Sequence, residues 1–489
     1  MSDTLATLRQ LVAPKQGLRP LPLVSESYQV DSTPAVSTRL LNMFAEALPP
    51  GSRSTHMLKP TAGTSLFTTI GTGPVRCSAA IAGSYYAISG DTVYRLQDDP
   101  IPAPTALGVV GTAGAADTES IAVGLTAVVF CVPPNAWVSD YNVLTPAWQQ
   151  ITTGSGNFPA DGANSVCYID GYFIFTQLTQ IFLSKLLDAT HFDSLDFVGI
   201  SSEVDYIERG VAHNGELWLF CQNSVRIWYD TGAADAPFQP RTGGVIPHGI
   251  GSARTIVAMD GSLWWLGIDK VVYRTTGYQA TRVSNHFIET LIATFDGGYL
   301  RNAVACSWMH EGHMFYALSL PQLGRTFVYD VATKVWHERC SDAAGTGRWQ
   351  INTAMQLSAR VILGDAQNGN LYHTSADTPT ENGVAVPRIG TLPNIVTHGP
   401  RASMHRLEVE MEVGTADAPG SVTLDWSDDG GINYNGGPRA LSTGAAGATK
   451  TRVATTRLGS FRERVLRFTA VAPMTIYAVD ADVPTPTGG

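Results

Sequence analysis

What most constrains this chain is a repeat of about 40 to 50 residues: a Gly-containing turn, an aromatic-rich strand, a short polar break and a second strand rich in aromatics. The copies run GSYYAISG (83–90) to TVYRL (92–96), GLTAVVF (124–130) to AWVSDY (136–141), and DGYFIF (170–175) to QIFL (180–183). They continue with NGELWLF (214–220) to SVRIWY (224–229), DGSLWWL (260–266) to KVVYR (270–274), and EGHMFYA (311–317) to TFVYD (326–330). A weaker copy joins RVILG (360–364) to NLYH (370–373). An Asn-Gly or Asp-Gly pair supplies the positive-φ residues of a tight hairpin. A period of this length is that of a four-stranded propeller blade, and no single blade covers both of its own faces, so the copies are stable only as a closed circle. Counting copies gives six or seven blades, with seven the expectation; a sandwich of unrelated hairpins is the alternative.

Composition agrees with an all-β chain. The 48 Gly and 28 Pro among 489 residues leave little room for long helices. The net charge of −10 argues against binding energy drawn from neutralising phosphates, although it suits a wall past which DNA slides without adhering. Six cysteines, Cys77, Cys131, Cys167, Cys221, Cys306 and Cys340, are too far apart for a metal or redox pair and are expected as buried, reduced thiols. The first 30 residues are broken by charge and proline, so no signal peptide is expected, and no run approaches 18 apolar residues. Synthesis and solubility in a host cytoplasm are therefore expected.

Two regions lie outside the period. Residues 1–60 are expected as an extended arm with one strand or short helix around 38–47, ahead of a propeller at 61–398. From about 400 the pattern alternates: Leu407, Val409, Met411 and Val413 on one side, Arg406, Glu408, Glu410 and Glu412 on the other. Residues 399–489 are expected as a small β-sandwich, with a mobile loop at 436–448 and a frayed tail at 484–489.

Catalytic signatures are not found: no nucleophile elbow, P-loop, HExxH or dinucleotide fingerprint. His310 and His313 flank a hairpin turn and are expected to point apart rather than to hold zinc. Ser427, Asp429, Gly431 and Tyr434 fit the SxDxGxx(aromatic) turn of sialidases, which is a structural hairpin in that family; a calcium site from Asp428 and Asp429 is the lesser reading. Basic residues Lys450, Arg452, Arg457, Arg462, Arg464 and Arg467 concentrate near the end. Part of this charge should pair with the Glu408–Glu412 face, and Arg457, Arg462, Arg464 and Arg467 are a candidate partner-contact patch. The expectation is a non-enzyme with no catalytic residues, no cofactor and no metal.

The order of segments resembles one family, the packaged-DNA stabilisation or tail accessory proteins of short-tailed bacteriophages, also called tail hubs or nozzles. The likeness rests on RLLNMF (39–44) with LKPTAG (58–63), SVRIWYDTG (224–232) with GIG (249–251) and DGSLWWLG (260–267), and WSDDGGINY (426–434). Its collinearity is the argument; the chain departs from the family in Ala/Gly-rich insertions near 111–116 and 443–448. The resemblance implies a virion protein: a homohexameric ring under the portal and its head-to-tail adaptor. That ring would close the DNA channel until ejection, hold the tail needle or plug and help present tailspikes, with DNA only as cargo and no membrane partner. The alternative is a carbohydrate-binding or glycosidase-like propeller, for which the Asp turn and the many aromatics speak.

Overall fold

The structure is a computed structural model describing residues 17–24, 38–81, 83–97, 103–111, 118–140, 146–193, 197–200, 205–233, 237–294, 297–375, 377–397, 399–412, 421–444 and 450–483. The expected tail at 484–489 and most of the two Ala/Gly-rich insertions lie outside them.

The repeat becomes a succession of four-stranded antiparallel units, in all but the last of which strand order follows chain order. Six are separate sheets, and a further set, Val304–His310, His313–Leu320, Arg325–Asp330 and Val335–Arg339, stands at one end of a ten-stranded sheet. First strands contact one another from unit to unit: Val75–Ile81 lies beside Ser120–Val123 and Ile351–Leu357, and Ile351–Leu357 lies beside Val304–His310. They therefore line the axis of a propeller. Second strands such as Ser84–Ser89, Ala127–Val132 and Glu216–Cys221 are buried at every residue. Each is covered on both faces by neighbouring units, which is why these strands read as unbroken apolar runs. Aromatic rings join consecutive units: Phe220 with Trp265, Trp264 with Tyr316, and Trp308 with Trp349 at 5.0 Å.

The hairpins behave as their sequences require, with one exception. Asp170, Asn214, Asp260 and Glu311 take φ of 50°, 51°, 50° and 49°, each followed by a positive-φ Gly. Gly124 is different. A Cβ there would lie 2.6 Å from the Phe173 ring, so this position needs glycine for close approach between units.

The last unit has only three consecutive strands, Ile351–Leu357, Arg360–Asp365 and Asn370–Ser375; its fourth is Gly63–Thr69, from ahead of the first unit. Hydrogen bonds between the two ends of the repeat thus close the ring.

Residues 38–60 are not a separate arm. Leu40–Leu41 and Met43–Ala47 are two strands kinked at Asn42, whose φ is 52°. Leu40–Leu41 runs parallel to Val335–Arg339 of the propeller and antiparallel to Arg388–Thr391, so one sheet continues from propeller into sandwich. Met43–Ala47 and His56–Pro60 belong to the opposite sheet, with Thr475–Ala481, Arg406–Glu412 and Lys450–Thr456. By pairing, the sandwich reaches back to Arg388, ahead of the expected 399, because Arg388–Thr391 adds to the edge of Glu463–Ala470. Its core unites Leu40, Met43 and Leu58 with Leu407, Val409, Met411, Leu424, Phe468 and Ile476. Gly436–Ser442, expected as part of a loop, is a strand against Ser421–Ser427. Its small residues fit an edge strand whose outer face is mostly exposed, so composition misled there.

Asn42 secures the junction. Its Nδ2 donates to the Pro387 carbonyl at 2.9 Å, and its Oδ1 accepts from the Cys340 backbone N–H at 3.0 Å. Next to it, Phe44 packs on His313 and His337 of the propeller, ring centroids 5.1 and 6.4 Å apart.

That contact gives the junction a pH dependence. Burial pushes the His337 imidazole down to about 3, so it stays neutral in the fold while the unfolded chain protonates near 6.5. Stability is therefore lost progressively as pH falls from about 6.5, by up to about 1.4 kcal/mol per pH unit. His313 is raised by its bond to Asp330, and its contribution is full below about 6.5 and lost as pH rises through the raised value. His337 accordingly sets the acid side. Urea denaturation at pH 6.5, 5.5 and 4.5 should show the slope of stability against pH reduced by about one proton in His337→Leu. Equal slopes in the two proteins would contradict this.

Candidate functional site

The turn at 427–434 is built by side chains that bond the backbone. Asp429 accepts from the Asn433 N–H at 2.9 Å and from Asn433 Nδ2 at 2.8 Å, and Ser427 Oγ accepts from the Gly431 N–H at 2.9 Å. These bonds hold the Asp429 carboxyl below the usual carboxylate range despite the opposing effect of burial. Asp428 is occupied elsewhere, accepting two bonds from Arg464 at 2.7 and 2.8 Å. Both carboxylates suggested for calcium thus have protein partners, and no group of three potential metal ligands is present among the described residues.

The four arginines of the suggested contact patch do not form one surface. Arg464 is buried, pairing with Asp428 and lying 4.4 Å from the Phe461 ring centroid. Arg467 pairs with Asp425 through two bonds and covers the Tyr434 ring at 3.6 Å. Arg464 and Arg467 sit on the strand Glu463–Ala470, central in its sheet, where a cation persists only with a partner; Arg457 and Arg462 are exposed. Lys450 and Arg452 pair with Glu410 and Glu408 as strand alternation suggests. His310 and His313 are directly opposed across their hairpin, which puts them on one face, contrary to expectation. They still make no ligand pair: His313 Nδ1 is bonded to Asp330 at 2.8 Å. All six cysteines are free thiols; five are buried, Cys77 partly so, and burial pushes Cys131, Cys167, Cys221 and Cys306 up to about 12.

Two cavities stand out among the described residues. One, of about 590 Å³, opens on the propeller axis among Arg76, Glu119, Arg209, Arg254, Trp308 and Met355. Arg76 Nε meets Glu119 at 2.6 Å, with both side chains almost fully buried. Arg209 reaches in from the fourth unit and donates to the Ala253 carbonyl at 3.2 Å. Arg76, Glu119 and Arg254 are single charges at or just ahead of a first strand, and that interruption of the apolar pattern is the one signal available for them; Arg209 follows Glu208 within Ile207–His213. The other cavity, about 480 Å³, lies at the hairpin tips of the fourth and fifth units. There Arg241 lies over Tyr278 at 4.9 Å and pairs with Glu216, and Trp218 stacks on Tyr278. This arrangement offers aromatic faces with mixed polar groups, suited to adsorbing a planar or ring-shaped ligand.

A closed propeller sharing a sheet with a β-sandwich, its buried charges spent on internal pairing, defines a rigid all-β scaffold. Sequence comparison gives its family: residues 20–379 match the model described as bacteriophage P22 Gp10, beta-propeller, and residues 393–484 the model described as bacteriophage P22 Gp10, beta-sandwich. The chain belongs to the P22 Gp10 family, the tail accessory factors of short-tailed phages. No curated protein matches it at a significant level. Among solved structures it is similar to the computationally designed Ika8 protein, at 10% identity and TM-score 0.40, covering 64% of this chain and 99% of that one. The WD40 propeller domain of Doa1 matches at 10% and 0.40, covering 65% and 98%, and the Neurospora crassa Pan2 WD40 domain at 7% and 0.40, covering 63% and 90%. Likenesses this distant add nothing to the topology read from the sheets themselves. The family is that of a phage tail protein, which points to a structural component of the virion tail and away from an enzyme; no described helix is long and apolar enough to cross a membrane.

Proposed function

We propose that the chain forms a homo-oligomeric ring, a hexamer, beneath the portal and adaptor proteins. There it closes the DNA channel, stabilises packaged DNA, and anchors the tail needle and tailspikes. We also count its four-strand units as seven blades. The observation that carries the reading is the collinear family match across both parts of the chain, 20–379 and 393–484. The shared sheet at Leu40–Leu41 supports it, since a subunit that must hold pressure across a ring needs its two domains to act as one body. Phage lacking the protein should fill their heads and then lose DNA, and purified protein added back should restore retention and sediment with adaptor–portal complexes. Protein that stays monomeric and ignores those complexes at high concentration would sink the proposal. A second reading, glycan binding, draws on the Trp218–Tyr278–Arg241 cavity; a blank glycan array would remove it.

A further inference from the structure

The axial cavity is polarised in a way that the tail role does not use. At one end stand the side chains of Arg76, Arg209 and Arg254 with a single carboxylate, Glu119. Arg76 takes that carboxylate at 2.6 Å, whereas Arg254 stands 3.9 Å from it. Among the described residues, Arg209 and Arg254 each make one hydrogen bond, to the carbonyls of Ala253 and Arg76. A guanidinium carries five donors in a planar fork matched to a carboxylate, and both groups are only partly buried, so most of that capacity faces the cavity.

Much of the remaining wall is apolar and adaptable. Met309, Met314 and Met355 line it with Trp308 and Val361, and Met309 is 59% exposed. Unbranched thioether side chains repack around varied apolar shapes. A volume of about 590 Å³ falls in the ordinary range of ligand pockets and is far too small for a DNA duplex.

We propose that the axial cavity binds a short acidic peptide segment of a partner protein, its carboxylate forked by Arg209 and Arg254 and its flanking aliphatic side chains lying on the methionine wall. Charge complementarity selects this occupant: the cavity's ionised side chains sum to a positive charge, inside a chain whose net charge is −10. A partly enclosed site strengthens such pairing relative to open water. The site belongs to one propeller and stands whether or not the chain forms a ring.

The test is fluorescence anisotropy on the full chain with a fluorescein-labelled, amidated peptide of sequence LELEL, and LKLKL as control. LELEL is expected to bind, more weakly as salt rises, and LKLKL is not. Arg209→Gln and Arg254→Gln should each weaken binding at least about tenfold, the loss of a charge-assisted bond; Arg462→Gln, exposed on the sandwich, should leave it unchanged. Met309→Glu, at a solvent-facing position where folding is not at risk, should also weaken it by repulsion. The proposal is overturned if LELEL fails to bind, or if it binds regardless of Arg209→Gln, Arg254→Gln and Met309→Glu. It is equally overturned if inorganic phosphate or a mononucleotide binds in an arginine-dependent way while LELEL does not.

Discussion

Removal of residues 1–47 is expected to unfold the C-terminal sandwich rather than release a trimmed, stable protein. The deletion takes out Leu40, Leu41, Met43 and Phe44, all at 2% exposure or less. Losing a large buried side chain costs roughly 2–5 kcal/mol, so four together approach or exceed the roughly 5–15 kcal/mol that holds an ordinary domain. It also exposes two sheet edges at once: Val335–Arg339 loses its parallel neighbour, and Arg388–Thr391 its antiparallel one. Soluble yield and size-exclusion profile measure the effect, with aggregation the expected result. A milder companion is Asn42→Ala, which leaves the Cys340 N–H and Pro387 carbonyl without their partner and should cost about 2–4 kcal/mol by denaturant titration. A fragment 48–489 that stays soluble and melts near the full chain would show that the shared sheet does not hold the domains together.

The contrast between these residues and the periodic ones shows what a sequence exposes. The propeller was legible because each unit repeats one local solution: a two-residue turn such as Asn214–Gly215 followed by a strand covered on both faces, such as Glu216–Cys221. The alternation at Leu407, Val409 and Met411 was legible for the same reason, since burial follows a period of two. Contacts between distant segments leave no period. Leu40–Leu41 is two residues long, and its partners lie some 300 residues away, so nothing local announces it. The same holds for Gly63–Thr69, which lies ahead of the first copy of the repeat and carries no local sign that it completes the last unit. Among candidate site residues, Ser427, Asp429 and Gly431 met in one turn because their bonds are local. Arg464 and Arg467 looked like free surface charge because their partners come from another strand, Asp425, and from the turn that follows it, Asp428.

Glu381→Ala is expected to loosen the ring at its closure. Glu381 is 4% exposed and accepts from Arg339 at 2.7 Å, from Thr64 Oγ1 at 2.8 Å and from Trp349 Nε1 at 3.3 Å. Arg339, itself 2% exposed, also donates to the Ala62 carbonyl and lies 4.1 Å from the Trp349 ring centroid. One carboxylate therefore joins the closing strand, the sixth unit's last strand and the start of the seventh. Around it the backbone repeats the connection: Thr64 N–H to the Thr380 carbonyl at 2.9 Å, and Asn382 N–H to the Thr64 carbonyl at 2.8 Å. Without Glu381 the guanidinium is left buried and unpaired, which typically costs about 3–5 kcal/mol. Replacing both partners, Arg339→Leu with Glu381→Leu, should recover much of that loss, because neither charge then needs desolvation. The location of the damage discriminates clasp from general core. Hydrogen exchange should accelerate at Gly63–Thr69 more than at Tyr172–Gln177 in the third unit, since strands held by non-local pairing open first when their anchor goes. Uniform acceleration, or a loss of stability under about 1 kcal/mol, would mean that the strand ladder alone closes the propeller and that Glu381 merely fills a gap beside it.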